Sequence, residues 1–322
     1  MNKPQVIGVA PWLPEPLSQM PWWTRPVRAE RLAALRIGVG AMLLLDILCF
    51  YLPRASDFLG SGSLGSSEVF AGRIGGGSFR WTLLNGISDP FVLYAIFFAW
   101  AIAAFGLMIG FFPRMSAMLA WMIAMSIHNL NFYLHNSGDN VKLIALFYLM
   151  LCPAGAVWAV RRRPSPALQA GTPAYVHPWP LRLLMLQMAA IYFVNGVYKL
   201  AGGDWRSGEV MHSVLNNVAW TRFAYVQLPL PEIAIPLMTY TTLVWELGFP
   251  LLMLFPKLRA PTLWLGVTFH FGTAGLLQLG MFPAYMLCLY LPLVPWEHFV
   301  SDHRRLSRAS DSLPLGAQPN CL

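Results

Sequence analysis

Lys199 lies near the end of a long apolar run, Ile191-Tyr-Phe-Val-Asn-Gly-Val-Tyr-Lys199-Leu-Ala-Gly-Gly-Asp-Trp205, and the twenty residues before it carry one charge, Arg182. Placing an ammonium in hydrocarbon costs a few kcal/mol on insertion scales. Lysine drawn out of water is also the side chain that serves as a neutral-amine base. Tyr192, Asn195 and Lys199 are spaced i, i+3, i+7 and share a helical face. His128, Asn131 and His135 repeat that spacing, and Asp46, Glu246, His270 and Gln278 add further polar groups to other apolar segments. Such groups together could move protons and orient a polar ligand. Each also has a plainer reading. Lys199 can snorkel to the headgroups, Asp46 and Arg36 can be structural ion-pair partners, and Asp139 after Gly138 reads as a helix N-cap. His270 can be a hydrogen-bonded core histidine, and the Tyr and Trp residues can be packing. The three histidines do not have the spacing of a metal or haem site, so no metal is expected.

These residues need elements to hold them, and the composition says which kind. Of 322 residues, 57% are hydrophobic and 11% charged, against roughly 25% charged in soluble domains. Mean hydropathy is +0.53. Thirteen Trp and twenty Phe fit interfacial belts and helix packing. The net charge of +8 comes from residues in short loops between apolar segments, which argues against nucleic acid as a partner. Cys49, Cys152, Cys288 and Cys321 are too few and scattered for a disulfide framework. The Pro-rich N-terminus has no apolar core and is not expected to be a signal peptide.

The fold class is therefore all-α: a polytopic helical membrane protein with about eight transmembrane helices, predicted at 31–52, 88–111, 115–134, 140–160, 181–201, 232–255, 261–280 and 282–298. A tight Phe-Pro-Arg turn at 112–114 joins the second and third. Residues 1–29 read as a cytoplasmic N-terminal segment, 30–298 as the transmembrane domain and 299–322 as a polar cytoplasmic tail. Arg36, Lys142 and Lys199 fall within spans. Of the other Lys and Arg residues, five (Arg54, Arg73, Arg80, Arg206, Arg222) lie on one side and fourteen on the other. That asymmetry predicts an integral membrane protein with both termini cytoplasmic. Arg182 is then inside and Lys199, seventeen residues and ~26 Å further along, near the outer boundary. Most of the polar span residues reach the middle or outer half, so one outward-opening cavity is expected to collect them. Of the outer loops, 53–87 is rich in Gly and Ser, and 202–231 permits a helix on the interface.

At Tyr192-Phe-Val-Asn-Gly-Val-Tyr-Lys199-Leu, Asp204-Trp205 and Gly208, the chain resembles the HTTM (horizontally transferred transmembrane) family, which includes the membrane part of vitamin K-dependent gamma-glutamyl carboxylase. Asn136-Ser-Gly-Asp139, Glu246-Leu-Gly-Phe-Pro and Phe269-His270 followed by Gln278-Leu-Gly-Met-Phe282 agree in order and spacing. The resemblance covers about residues 30–298. It implies that Lys199 matches the base that deprotonates reduced vitamin K. Oxygen then converts the quinol to a strong base that removes a γ-proton from glutamate, and the carbanion adds carbon dioxide. It also implies that His270 lies in the same cavity and is a second catalytic residue. His128, His135, Asn136, Asn195, Trp205 and Glu246 are the expected cofactor-binding residues, and the cofactor is a reduced, vitamin K-like quinone.

The chain departs from the carboxylases in three ways. Tyr198 stands where they have a second lysine, His135-Asn136 reverses their Asn-His pair, and their large extramembrane domain has no counterpart. The pattern is closer to single-domain bacterial members, including those that mature secreted peptide toxins, which implies a bacterial inner (cytoplasmic) membrane. Carboxylase-like modification of an exported peptide or small substrate is one expected function. A non-catalytic binder or transporter of a lipid, quinone or peptide is the alternative.

Overall fold

The computed structural model describes residues 23–63, 81–130, 136–161, 173–223, 230–296 and 299. His135, Asn131, the Gly/Ser-rich stretch 64–80, the linker 162–172 and the tail from 300 lie outside the described residues. Among the described residues, eight helices overlap the apolar segments where spans were expected. They are α1 (Ala29–Asp46), α3 (Pro90–Ile109), α4 (Pro113–Leu130), α5 (Ser137–Leu151), α6 (Trp179–Ala201), α9 (Ala234–Leu254), α10 (Pro256–Leu276) and α11 (Phe282–Tyr290). Three short helices join them: α2 (Ala55–Leu59), α7 (Gly203–Ser207) and α8 (Val210–Asn216), the last two within the loop where an interfacial helix was expected.

Among the described residues, four helical stretches are long and apolar enough to cross a membrane: Ala29–Leu59, Pro90–Ile109, Trp179–Ala201 and Ala234–Leu254. Two of the expected spans are shorter than their apolar runs. The run 140–160 stops being helical at Leu151, because Pro153 holds Cys152 extended at φ −91°, ψ 157°. The run 282–298 gives an α-helix only to Tyr290, then a 3-10 turn at Leu291–Leu293 that contains Pro292. Where α3 turns into α4, Gly110 takes a left-handed conformation (φ 77°) and Pro113 occupies the first helical turn, as expected for Phe-Pro-Arg.

The helices form two groups. Along one, α1 packs on α3, α3 on α4 and α4 on α5; in the other, α6 packs on α9 and α9 on α10. Helix α11 lies between them, against α1 and α5 on one side and α10 on the other. A two-stranded antiparallel ladder, β1 (Val27–Arg28) with β2 (Tyr175–Val176), ties the start of α1 to the start of α6. At the opposite end, Tyr51 beyond α1 reaches Asp139 at the start of α5. There too the Gln278 amide N–H donates to the Trp220 carbonyl at 2.7 Å, holding the α8–α9 connection against the end of α10. The polar residues singled out in the sequence collect toward this second end.

Candidate functional site

Helices α6 and α9 approach closely where Gly196 faces Leu247. A Cβ on Gly196 would stand 3.0 Å from the Leu247 backbone nitrogen, so a larger residue would push the helices apart. The residue before Leu247 is Glu246, and one turn beyond Gly196 is Lys199. The Lys199 ammonium forms an ion pair with Glu246 Oε1. The Lys199 side chain keeps 24% of its surface exposed, whereas that of Glu246 keeps 5%. Trp205 on α7 covers the ammonium, its ring centre 5.0 Å from Nζ, within cation–π range. The Tyr240 hydroxyl on α9 fixes α7 by donating to the Arg206 carbonyl at 3.0 Å.

An ammonium has three hydrogens to donate, and Glu246 takes only one. Glu246 Oε2 is buried and has no hydrogen-bond partner among the described residues. The site therefore retains both donor and acceptor capacity. Lys199 does not simply snorkel, because its head is held by a carboxylate inside the helix pair.

His270 is fully buried on α10. Its Nε2 lies 2.7 Å from the Tyr192 hydroxyl, which lies 2.6 Å from the Tyr290 hydroxyl on α11. Gly266 makes room for this chain: a Cβ there would stand 2.8 Å from both the Tyr290 ring and the Trp245 indole. Tyr192 packs between Trp245 and Phe249, each ring centre 4.5 Å away. Nδ1 of His270 has no hydrogen-bond partner among the described residues. The histidine is thus a hydrogen-bonded core residue with one nitrogen unspent.

The structure draws Lys199, Glu246 and Trp205 together and joins His270 to Tyr192. It does not bring in the other expected ligands. Asn195 is exposed, and its amide donates back to the Ile191 carbonyl of its own helix at 2.7 Å. His128 sits in the last turn of α4, and α4 packs chiefly on α3 and α5. Asn136 caps α5: its side chain accepts from the Gly138 N–H at 2.6 Å, and its own N–H donates to Asp139 at 2.8 Å. Asn136 is therefore the N-cap expected at Asp139, and Asp139 is its capping-box partner.

Asp139 belongs to a second polar cluster, built around Lys142. The Lys142 ammonium donates to Asp139 at 2.6 Å, to the Tyr51 hydroxyl at 3.2 Å and to Asp46 at 3.3 Å. Tyr51 also donates to Asp139, and Tyr285 donates to Asp46, both at 2.8 Å. Asp46 therefore pairs with Lys142, while Arg36 donates to the Trp158 carbonyl near the other end of α1. A cavity of ≈ 190 Å³ borders this cluster; Asp46, Tyr51, Asn136, Asp139 and Tyr285 line it, whereas Lys199, Glu246 and His270 do not. The single collecting cavity expected from the sequence is thus two separate regions. The Lys142 cluster was missed, although an i, i+3 Asp139–Lys142 pair entering an apolar run was the available signal.

Among the described residues no group of His, Cys, Asp and Glu could hold a metal ion. Residues 24–296 match the family model described as the HTTM domain. No solved structure matches the chain.

Proposed function

We propose, from the premise that the chain belongs to the HTTM domain family and is an integral membrane protein, that it carries out quinol-linked, carboxylase-like modification of an exported peptide or small substrate at the Lys199 site. The observation that carries this reading is the Lys199–Glu246 pair under Trp205, half open where a structural pair would be closed. Lys199 is the general base. A proton shared between Nζ and Glu246 can leave the lysine as the neutral amine, the form that accepts a proton from substrate. Glu246 positions Nζ and accepts its proton.

The residues fit a reduced quinone. Glu246 Oε2 and His270 Nδ1 are buried polar atoms without partners among the described residues, and a quinol offers hydroxyl groups to such atoms. When bound, the quinol with oxygen would supply the oxidative driving force for removing a glutamate γ-proton, with carbon dioxide as the added group. His270, held by Tyr192, orients the ligand. Trp205 restricts water at the Lys199 face.

The same reading takes all eight helices as crossings of the bacterial inner membrane with both termini cytoplasmic. Cysteine labelling at Gly76 and Ser165 tests it, and equal access from one side at both positions would sink it. The activity is tested by mass spectrometry of exported peptides from cells with the wild-type chain and with Lys199→Ala. A carbon-dioxide mass gain on glutamate that vanishes in the variant supports the reading. An unchanged product profile, with the variant assembled in the membrane, removes it.

A further inference from the structure

The cavity beside the Lys142 cluster has features that the Lys199 reading does not use. Its lining includes the buried carboxylates of Asp46 and Asp139, the rings of Tyr51, Phe97 and Tyr285, and the exposed Arg54. Lys142 is the only cation bonded to the two carboxylates among the described residues, so the group around it keeps one surplus negative charge. Asp46 is 5% exposed and takes both of its hydrogen bonds on Oδ2, leaving Oδ1 as an unfilled acceptor in the cavity wall. The exposed Arg54 makes no hydrogen bond or ion pair with the described residues. A π-helix, Ile47–Tyr51, separates these two residues. Such irregular turns are frequent at functional sites, and this one turns Tyr51 onto the cluster and continues into the turn that carries Arg54.

We infer that this cavity binds the zwitterionic phosphoethanolamine headgroup of a membrane lipid. The primary ammonium donates to Asp46 Oδ1 between the rings of Tyr51, Phe97 and Tyr285, where cation–π attraction adds to the ion pair. The phosphate meets the exposed Arg54 guanidinium. Phe50 and Phe58 flank the opening with 46% and 38% of their surface exposed, giving the acyl chains an apolar wall. An acyl chain inside the cavity would desolvate the carboxylate without pairing it. A choline headgroup has no N–H to donate to Asp46, and a glycerol headgroup has no cation.

The test is native mass spectrometry of the full-length protein in detergent, exposed to equal amounts of phosphatidylethanolamine, phosphatidylcholine and phosphatidylglycerol. Phosphatidylethanolamine should be retained at least about tenfold over the other two, the discrimination expected from one charge-assisted hydrogen bond. Arg54→Ala removes an exposed side chain, so the protein should assemble normally, and its retention of phosphatidylethanolamine should fall by about the same factor, because the phosphate loses its partner. Asp46→Asn should abolish the preference where the variant assembles. Soluble O-phosphoethanolamine is a separate arm. Displacement of the lipid assigns recognition to the headgroup alone, and failure to displace it shows that the acyl chains on Phe50 and Phe58 are needed. Equal retention of the three lipids, or undiminished retention of phosphatidylethanolamine by Arg54→Ala, would overturn the assignment.

Discussion

Lys142 and Lys199 each hold an ammonium against a carboxylate between helices of one membrane protein, and the differences between them separate a structural role from a chemical one. Lys142 spends all three of its hydrogens, on Asp139, Asp46 and Tyr51. Three aromatic rings surround it at 4.7–5.7 Å, and 2% of its side chain is exposed. Lys199 has one carboxylate, one ring and 24% exposure. A proton leaving Lys142 would weaken three hydrogen bonds at once around an ammonium that is itself buried. A proton leaving Lys199 crosses one bond to a carboxylate whose other oxygen has no partner among the described residues. The first arrangement locks α1, α5 and α11 together, and the second leaves a base available.

The comparison breaks most sharply at Lys142. Lys142→Ala would strand two buried carboxylates, and removing one partner of a buried pair costs about 3–5 kcal/mol. The variant is expected to lose most of its folded fraction in detergent, measured by thermal melting and size-exclusion profile. A wild-type melt would mean that the cluster does not hold the helices together.

Lys199→Ala should behave in the opposite way. Lys199 is partly exposed and only one carboxylate is left behind, which can take up a proton, so the loss of stability should be clearly smaller than in Lys142→Ala. Product formation should fall by at least about 10²-fold, the usual contribution of a positioned general base. A variant that melts early in proportion to its lost activity would place Lys199 in the same structural class as Lys142.

How far this contrast was legible in the sequence depends on which residues decide it. The helices followed from apolar runs, and their ends from prolines, except where Pro153 and Pro292 cut two runs short. Lys199, Glu246 and His270 stood out one by one, because a polar residue in a span is conspicuous wherever it lies. Pairing was less readable. Lys199 and Glu246 are 47 residues apart, and what joins them is the close approach at Gly196, a residue with no chemistry of its own. The Lys142 cluster draws on Asp46, Tyr51, Asp139 and Tyr285, of which Tyr285 is 239 residues from its partner Asp46. Helical spacing relates residues on one helix, and it contains nothing about which face meets a distant helix. Asn195 shows the same limit from the other side. It is three residues from buried Tyr192, yet about 60° round the helix, enough to turn it outward.

Gly196 therefore offers a way to sharpen the comparison without touching either charge. Gly196→Ala puts a methyl group against the Leu247 backbone, an overpacking expected to cost about 1–3 kcal/mol. It should loosen the Lys199–Glu246 contact and lower product formation while the Lys142 cluster stays intact. Double-mutant analysis with Glu246→Gln checks this. The two changes should be non-additive in activity, because both act on the same contact. Simple additivity would mean that the glycine acts through general packing.

The smallest effect is expected at Trp205. Its ring lies over the ammonium from a five-residue helix, α7, and contributes about 0.5–1 kcal/mol as a partly exposed cation–π contact. Trp205→Phe keeps a ring face and should lower activity only slightly; Trp205→Ala should lower it further with little change in melting temperature. The order Trp, Phe, Ala in activity, set against a flat order in stability, is the signature of a lid over a base. If stability fell in that order as well, Trp205 would be a wedge holding α7 against α6, and Lys199 would owe its exposure to packing alone.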